Sequence, residues 1–264
     1  MSTVTTRPIG LAITVSHAFG DAGAMVAREL RRTVRSVDSL VTALVIPVSI
    51  MLVFVIVFGG AIEGNGDYIN YVVPGTLVLC VGFVSASTAV AVAQDMTSGT
   101  IDRFKTLPIF AASPMIGHVV SSVIRNLATT AVVIGVALLL GFRPHADLGG
   151  WLAAVGFLVL AILGFTWISC AAGLALSVEA AGSVNFVFLF LPYLSSGFVP
   201  IDSMPDWLQG FARTQPFTPI IETARGLLSG TDVGGTGWSA VAWIVGFIVV
   251  GYAASVLLYR RTAR

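Results

Sequence analysis

The residues whose types could bind a ligand or carry out chemistry lie in a short polar segment, Thr97 to Ser113, between two long apolar runs. Gly99 to Thr106 follows the phosphate-loop pattern G-x-x-x-x-G-K-[ST], except that Phe104 stands where the second glycine belongs. That glycine lets backbone amides close around a phosphate, and the loop has to follow a buried strand. Neither condition is met here. We therefore do not expect this chain to bind a nucleotide itself.

Other catalytic, metal-binding and ion-coupling motifs are also missing from the sequence. The three histidines, His17, His118 and His145, are isolated, so no H-E-x-x-H zinc motif exists. His118 lies near the cytoplasmic end of its apolar run, whereas the Ser195–Gly197 cluster lies toward the outside. The two are therefore at different membrane depths, which argues against a catalytic serine–histidine pair. No acidic residue lies in the middle of an apolar run, which counts against an ion-coupled transporter. We expect no catalytic, cofactor or metal site in this chain.

One apolar run carries a polar face. At helical spacing its members fall within about 100° of each other; they are His118, Ser121, Ser122, Arg125 and Thr129. A charge at mid-membrane costs about 2.5–3.5 kcal/mol on insertion scales, so Arg125 should face protein or water. Two interpretations remain open: Ser121, Ser122 and Arg125 line the substrate's path from a cytoplasm-facing cavity, or Arg125 reaches the near interface while the serines bond their own helix. Asn185 has the same two interpretations.

Composition indicates which elements position these residues. Of 264 residues, 56% are hydrophobic and 10% charged, and the mean hydropathy is +0.93. Soluble domains carry roughly 25% charged residues, so the chain is an integral membrane protein. A net charge of +1 gives no case for nucleic-acid binding. A helix needs about 20 apolar residues to cross the bilayer, and six stretches qualify: about 39–60, 70–93, 115–141, 150–177, 183–200 and 237–259.

An amphipathic helix is predicted ahead of the first span, at about 20–37. Its apolar side carries Val26, Leu30, Val34 and Val37, and its opposite side carries Arg28, Arg31, Arg32 and Arg35. This separation favours a helix in the membrane interface, with its arginines toward headgroups and water, over a helix packed on a soluble core. These arginines, with Arg103, Lys105 and the basic tail, place both termini and the polar segment in the cytoplasm.

The stretch 201–236 differs from the other connections, because it is semi-apolar yet interrupted by Pro205, Pro216 and Pro219. Neither half is long enough to span. We predict a pair of short re-entrant helices at about 201–230 that dip into the outer leaflet, where surrounding protein satisfies the backbone. The residues assigned to this outer region are Pro200, Pro205, Trp207, Pro216, Glu222 and Arg225.

Two motifs resemble those of a known family, the membrane subunits of type-2 ATP-binding-cassette (ABC) transporters, particularly the daunorubicin-resistance-type drug exporter permeases. The segment TSGTIDRFKTLPI is similar to the family's Gly-Thr pair followed by a charged helix. The stretch LSSGFVPIDSMPDWLQGFARTQPFTPIIETARGLLSG is similar to the family's signature. The resemblance covers essentially the whole chain as one transmembrane domain, 1–264.

The resemblance implies a division of labour. Two six-span permeases pair, as a homodimer or heterodimer in membrane lipid, above two cytoplasmic ATPase subunits that hold ATP and Mg. Residues 97–106 form a coupling helix against the ATPase; its assigned residues are Thr97, Ser98, Gly99, Thr100, Asp102, Arg103 and Lys105. The expected function is export of a hydrophobic drug or lipid across the cytoplasmic membrane. The alternatives are a lipid or polysaccharide exporter permease, a membrane scaffold and, less favoured, an intramembrane enzyme.

Overall fold

The computed structural model describes residues 23, 25–29, 31, 37–59, 68–99 and 113–261, and it contains helices and turns but no strand within them. Residues 23, 25–29 and 31 are helical and precede the first long helix. The helices that follow are α1 (Val37–Leu52, continued by a π-helical turn over Val53–Phe58), α2 (Tyr68–Thr97), α3 (Ser113–Leu139), α4 (Leu148–Ala175), α5 (Val178–Phe190), α6 (Asp206–Thr214), α7 (Phe217–Ser229) and α8 (Gly234–Arg261).

Five helices in these described ranges are long and apolar enough to cross a bilayer: Val41–Phe58, Tyr68–Thr97, Met115–Leu139, Leu148–Ala175 and Gly234–Tyr259. The prediction of an all-helical membrane protein is confirmed at this level. The fifth predicted span, at about 183–200, corresponds to a shorter apolar helix, Val178–Leu194, which falls below the roughly 20 residues that a crossing requires. The six-span arrangement therefore stays a prediction.

The structure places this shorter helix differently from the predicted span at 183–200. Helix α5 begins earlier because the Ser177 hydroxyl caps it, accepting a hydrogen bond from the Ala180 backbone N–H at 3.3 Å. It ends in a 3-10 turn, Leu191–Leu194, because Pro192 has no N–H to continue the helical ladder. The chain then turns through 195–200, where Ser195 and Ser196 are buried.

Helix α2 is the centre of the bundle, and it contacts α1, α3, α4, α5 and α7. Beside it, Phe165 of α4 forms the middle of an aromatic cluster. Its ring stacks on Phe217 of α7 with centroids 5.3 Å apart and meets Phe188 of α5 edge-on at 5.1 Å. These contacts join the short helices α5 and α7 to the long helix α4 within one hydrophobic cluster.

Two glycines allow α2 to approach its neighbours closely. A Cβ atom at Gly75 would overlap the carbonyl oxygen of Gly197, and one at Gly173 of α4 would overlap the carbonyl oxygen of Ala89. Small residues allow this close approach between helix backbones in membranes, where packing rather than hydrophobicity drives association.

We expect Gly173→Ala to lower the free energy of unfolding by about 1–3 kcal/mol, because the added methyl group forces α2 and α4 apart. Thermal unfolding of the purified protein in detergent measures the change. Gly156→Ala is the matched control, since it lies on the same helix and a Cβ there meets nothing within 4 Å. Equal melting temperatures for the two variants would contradict the predicted contact.

Candidate functional site

A cluster of charged side chains joins three elements at one end of the bundle. It consists of Arg28 and Glu29 from the N-terminal helical residues, Asp95 near the end of α2, and His118 near the start of α3; we call it the charge cluster. Arg28 Nη2 donates to Asp95 Oδ2 at 2.9 Å. His118 Nε2 lies 3.2 Å from the same oxygen, and His118 Nδ1 lies 3.7 Å from Glu29 Oε2.

Burial makes pairing necessary for the charges of this cluster. Glu29, Asp95 and His118 are each at most 6% exposed, and buried charges are stable only when they are paired. Arg28 supplies a positive charge beside the two carboxylates, and each ring nitrogen of His118 faces one of them.

The same side chains include a set of possible metal ligands. One ligand atom from each of Glu29, Asp95 and His118 lies within 4.8 Å of the others. Arg28 already supplies a cation at this position, because its Nη2 bonds Asp95 and lies 3.4 Å from Glu29 Oε1. The residues therefore fit an arginine–histidine–carboxylate cluster better than a metal centre.

Local sequence explains why the N-terminal helical residues reach this cluster. Gly117 of α3 has no side chain, so Met25 packs on its backbone; a Cβ at Gly117 would lie 2.8 Å from that of Met25. The arrangement differs from the expectation for Arg28, which turns onto Asp95 instead of facing headgroups. Arg31 is exposed, as the amphipathic pattern predicts, and Arg32 and Arg35 lie outside the described residues.

The charge cluster borders the predicted coupling segment on both sides. Asp95 precedes Thr97 by two residues, and α3 resumes at Ser113, five residues before His118. Thr97 Oγ1 donates to Ala93 O at 3.2 Å, and Gly99 leaves the helix with a φ of 68°, a conformation that glycine adopts without strain. Ser98 Oγ donates to Asp95 O at 3.4 Å. The remaining predicted coupling residues, Thr100, Asp102, Arg103 and Lys105, lie outside the described residues.

The polar face of α3 turns toward α2 and α4 and forms a polar seam. Ser121, Ser122 and Thr129 are buried, and Ser122 Oγ lies 3.0 Å from Thr166 Oγ1 of α4. Asn126, which sequence reasoning missed, is fully buried and donates to Ser85 Oγ of α2 at 3.2 Å. Helical spacing alone could have suggested Asn126, since it follows Ser122 by four residues.

Arg125 faces helix α2. Its Nη2 donates to Val84 O at 3.1 Å and to Thr88 Oγ1 at 3.3 Å. The guanidinium therefore contacts protein, and the two interpretations from sequence both stay predictions. Asn185 is on α5, its Oδ1 has no hydrogen-bond partner, and no hydrogen bond joins it to α3 in the described part of the chain.

At the other end of α2, Arg225 of α7 forms a second polar junction, which we call the Arg225 junction. Arg225 Nε donates to Tyr71 O at 3.2 Å, and Nη2 donates to Ser196 O at 2.7 Å. Nη1 donates to Glu222 Oε1 at 2.6 Å, while the guanidinium carbon lies 3.9 Å from the centre of the Tyr71 ring. One side chain thus connects α7, the start of α2 and the turn after α5.

The pair of short helices that the proline pattern predicts is present as α6 and α7. Pro205 precedes α6 and Pro216 precedes α7. Pro200 and Pro205 are exposed, and Trp207 on α6 is 79% exposed. Whether this pair enters the outer leaflet stays a prediction.

These features define a multi-pass helical membrane protein with polar junctions at both ends of a buried central helix and a polar seam between them. The chain belongs to the ABC-2 type transporter family, which it matches over residues 21–228. Members of this family are membrane subunits of transporters and associate with ABC ATPase subunits. The resemblance to type-2 ABC permeases is thereby confirmed.

Relatives agree with this family. The chain is 31% identical over 226 residues to the daunorubicin resistance ABC transporter permease protein DrrB1 of Streptomyces coeruleorubidus, covering 83% of this chain and 76% of that protein. It is 29% identical over 244 residues to the probable doxorubicin resistance ABC transporter permease protein DrrC of Mycobacterium tuberculosis, covering 89% and 87%. A putative transport permease, ycf38, of Porphyra purpurea is 24% identical over 227 residues, covering 79% and 75%.

Proposed function

We propose that this chain is the permease subunit of an ATP-driven exporter. It moves a hydrophobic or amphipathic substrate, an anthracycline-like drug or a lipid, out across the cytoplasmic membrane. Separate cytoplasmic ATPase subunits bind ATP and Mg and supply the energy, and a second permease subunit completes the transmembrane unit. The names of the relatives, which refer to daunorubicin and doxorubicin resistance, support the substrate class.

The charge cluster is the observation that carries this proposal. One hydrogen bond joins the N-terminal helical residues to α2, the helix before the coupling segment, and a second joins α2 to α3, the helix after it. A push on residues 97–106 therefore moves α2, α3 and the interfacial helix together. ATP binding shifts the permease only by its differential affinity for the two conformations, so the ATPase needs such a rigid surface to act on.

Helix α2 links this surface to the Arg225 junction. Asp95 and Tyr71 are 24 residues apart on one helix, which corresponds to about 36 Å along its axis. A displacement at the charge cluster therefore reaches the junction through a single rigid element. We propose that the junction closes the outer side, and that the polar seam borders the substrate's path once α2 and α3 separate.

We expect the double variant Asp102→Ala, Arg103→Ala to uncouple the ATPase, because it removes both charges from the predicted coupling helix. The measurement is substrate-stimulated ATP hydrolysis in liposomes that contain the permease and its partner ATPase. Stimulation should fall to the basal rate, while ATP-dependent accumulation in inside-out vesicles stops.

The matched control is Asp206→Ala, Arg213→Ala, which removes an acid and a base from the exposed surface of α6. It should keep stimulated hydrolysis near the wild-type rate. Unchanged hydrolysis and transport in the Asp102, Arg103 variant would refute the coupling assignment.

A further inference from the structure

Arg125 lacks a counter-ion inside the described part of the chain. No carboxylate there lies within ion-pair distance of its guanidinium. Its contacts are two neutral oxygens of α2, and its Nε is buried with no hydrogen-bond acceptor. Glu29 attracts it only from a longer distance, and that carboxylate already faces Arg28 and His118.

The position of Arg125 makes this unpaired charge costly. It lies 12 residues after Ser113 and 14 before Leu139, which is about 18 Å and 21 Å along the helix axis. It is therefore close to mid-membrane, where a charge costs about 2.5–3.5 kcal/mol on insertion scales. An anionic ligand at the guanidinium would offset that cost and satisfy the remaining N–H groups.

The surface beside Arg125 suits a hydrocarbon chain. Ala128 and Val132 lie three and seven residues further along α3, on the same stripe of the helix, and both are exposed. Ile124, next to Arg125 in sequence, is 42% exposed and also apolar. A partly exposed cation at the base of an apolar stripe complements a molecule with an anionic head and an apolar tail.

We propose that Arg125 binds the oxyanion head, carboxylate or phosphate, of a membrane-resident amphiphile whose tail lies along Ala128 and Val132. The planar guanidinium matches such a group through paired N–H donors. The proposal rests on the proposed export function, because it names the class of substrate that the α3 face accepts. Of the two substrates proposed there, it selects an anionic lipid over an anthracycline, whose amino sugar is cationic at neutral pH. It predicts that anionic amphiphiles are preferred over neutral ones of the same shape.

The test compares two fluorescent probes, a labelled fatty acid and its methyl ester, on the purified permease in phosphatidylcholine nanodiscs. The wild type should bind the acid about tenfold more tightly than the ester, the ratio expected for one charge-assisted hydrogen bond. Arg125→Gln should bring the ratio close to one. Arg143→Gln is the matched control, since Arg143 is exposed on the loop after α3, and it should keep the tenfold ratio.

Arg125→Lys keeps the charge but loses the planar fork, so it should give an intermediate ratio of about threefold. This variant also keeps the test decisive if Arg125→Gln does not fold. Displacement of the labelled acid by unlabelled phosphatidylglycerol would support the proposal and identify a phospholipid phosphate as the natural head. Displacement by unlabelled fatty acid alone would support it and identify a free carboxylate.

Equal affinity of the wild type for acid and ester would overturn the proposal, as would an unchanged ratio in Arg125→Gln. Because the binding measurement needs no ATPase, the anion-site proposal and the export proposal are tested independently. Intact ATP-driven transport without an Arg125-dependent preference contradicts only the anion site. An Arg125-dependent preference without ATP-driven transport in the reconstituted complex contradicts only the export function.

Discussion

Asp95→Asn is expected to uncouple the ATPase from the permease and to lower the stability of the permease. The change removes the carboxylate that Arg28 and His118 share. The pair is part-buried, with Arg28 35% exposed, and losing a hydrogen bond to a charged group costs about 1.5–3 kcal/mol. The N-terminal helical residues then lose the Arg28–Asp95 hydrogen bond that joins them to α2. Substrate-stimulated hydrolysis in proteoliposomes should fall toward the basal rate, and thermal unfolding in detergent should shift to lower temperature.

Asp202→Asn provides a matched control with the same chemical change. Asp202 pairs with Arg213 at the surface, where their side chains are 86% and 57% exposed, and such pairs contribute about 0–1 kcal/mol. A double-mutant cycle that combines Asp95→Asn with Arg28→Gln then isolates the Arg28–Asp95 contact. The Arg28 and Asp95 changes should couple by about 0.5–3 kcal/mol; additive effects would contradict a direct interaction.

Arg225→Gln is expected to open the outer end of the bundle. The wild-type guanidinium bonds the carbonyl oxygens of Tyr71 and Ser196, and a hydrogen bond to a charged group contributes about 1.5–3 kcal/mol. We therefore expect a loss of stability on the order of 3 kcal/mol. In the reconstituted complex, substrate loaded inside proteoliposomes should leak without ATP, because the outer side no longer closes.

Arg213→Gln is the control for this prediction, since it removes an exposed arginine from the neighbouring helix α6. Its stability and its passive leak should both match the wild type. A normal leak rate in Arg225→Gln, with lowered stability, would show that the junction supports the fold without closing the path.

Local pattern predicted the parts of the site that depend on one helix. The polar face of α3 follows from helical spacing, and the proline positions at 205 and 216 predicted the two short helices. Composition was sufficient to identify the chain as an integral membrane protein. The end of α5 was missed, because hydropathy does not register that Pro192 lacks the N–H needed to continue the helix.

Pairings between helices could not be predicted in the same way. Arg28 shares a helical side with three other arginines, which favoured headgroups as its environment, yet its carboxylate partner is 67 positions away. Glu29 lies among those arginines and gave no signal of burial. Arg225 was assigned to the outer region from its motif, but its partners at 71 and 196 are main-chain oxygens, which leave no trace in the side-chain pattern.

The use of main-chain oxygens at the Arg225 junction has an evolutionary consequence. Any residue at position 196 presents the same carbonyl, and the Tyr68 hydroxyl likewise donates to the carbonyl of Phe198, at 2.7 Å. These two contacts therefore do not depend on which side chain stands at 196 or 198, and packing alone restricts those positions. Ser196 is 2% exposed, and the Phe198 ring stacks on Tyr193 with centroids 4.6 Å apart. Directed evolution of the turn should accept small residues at 196, whereas replacement of Phe198 or Arg225 should be rejected.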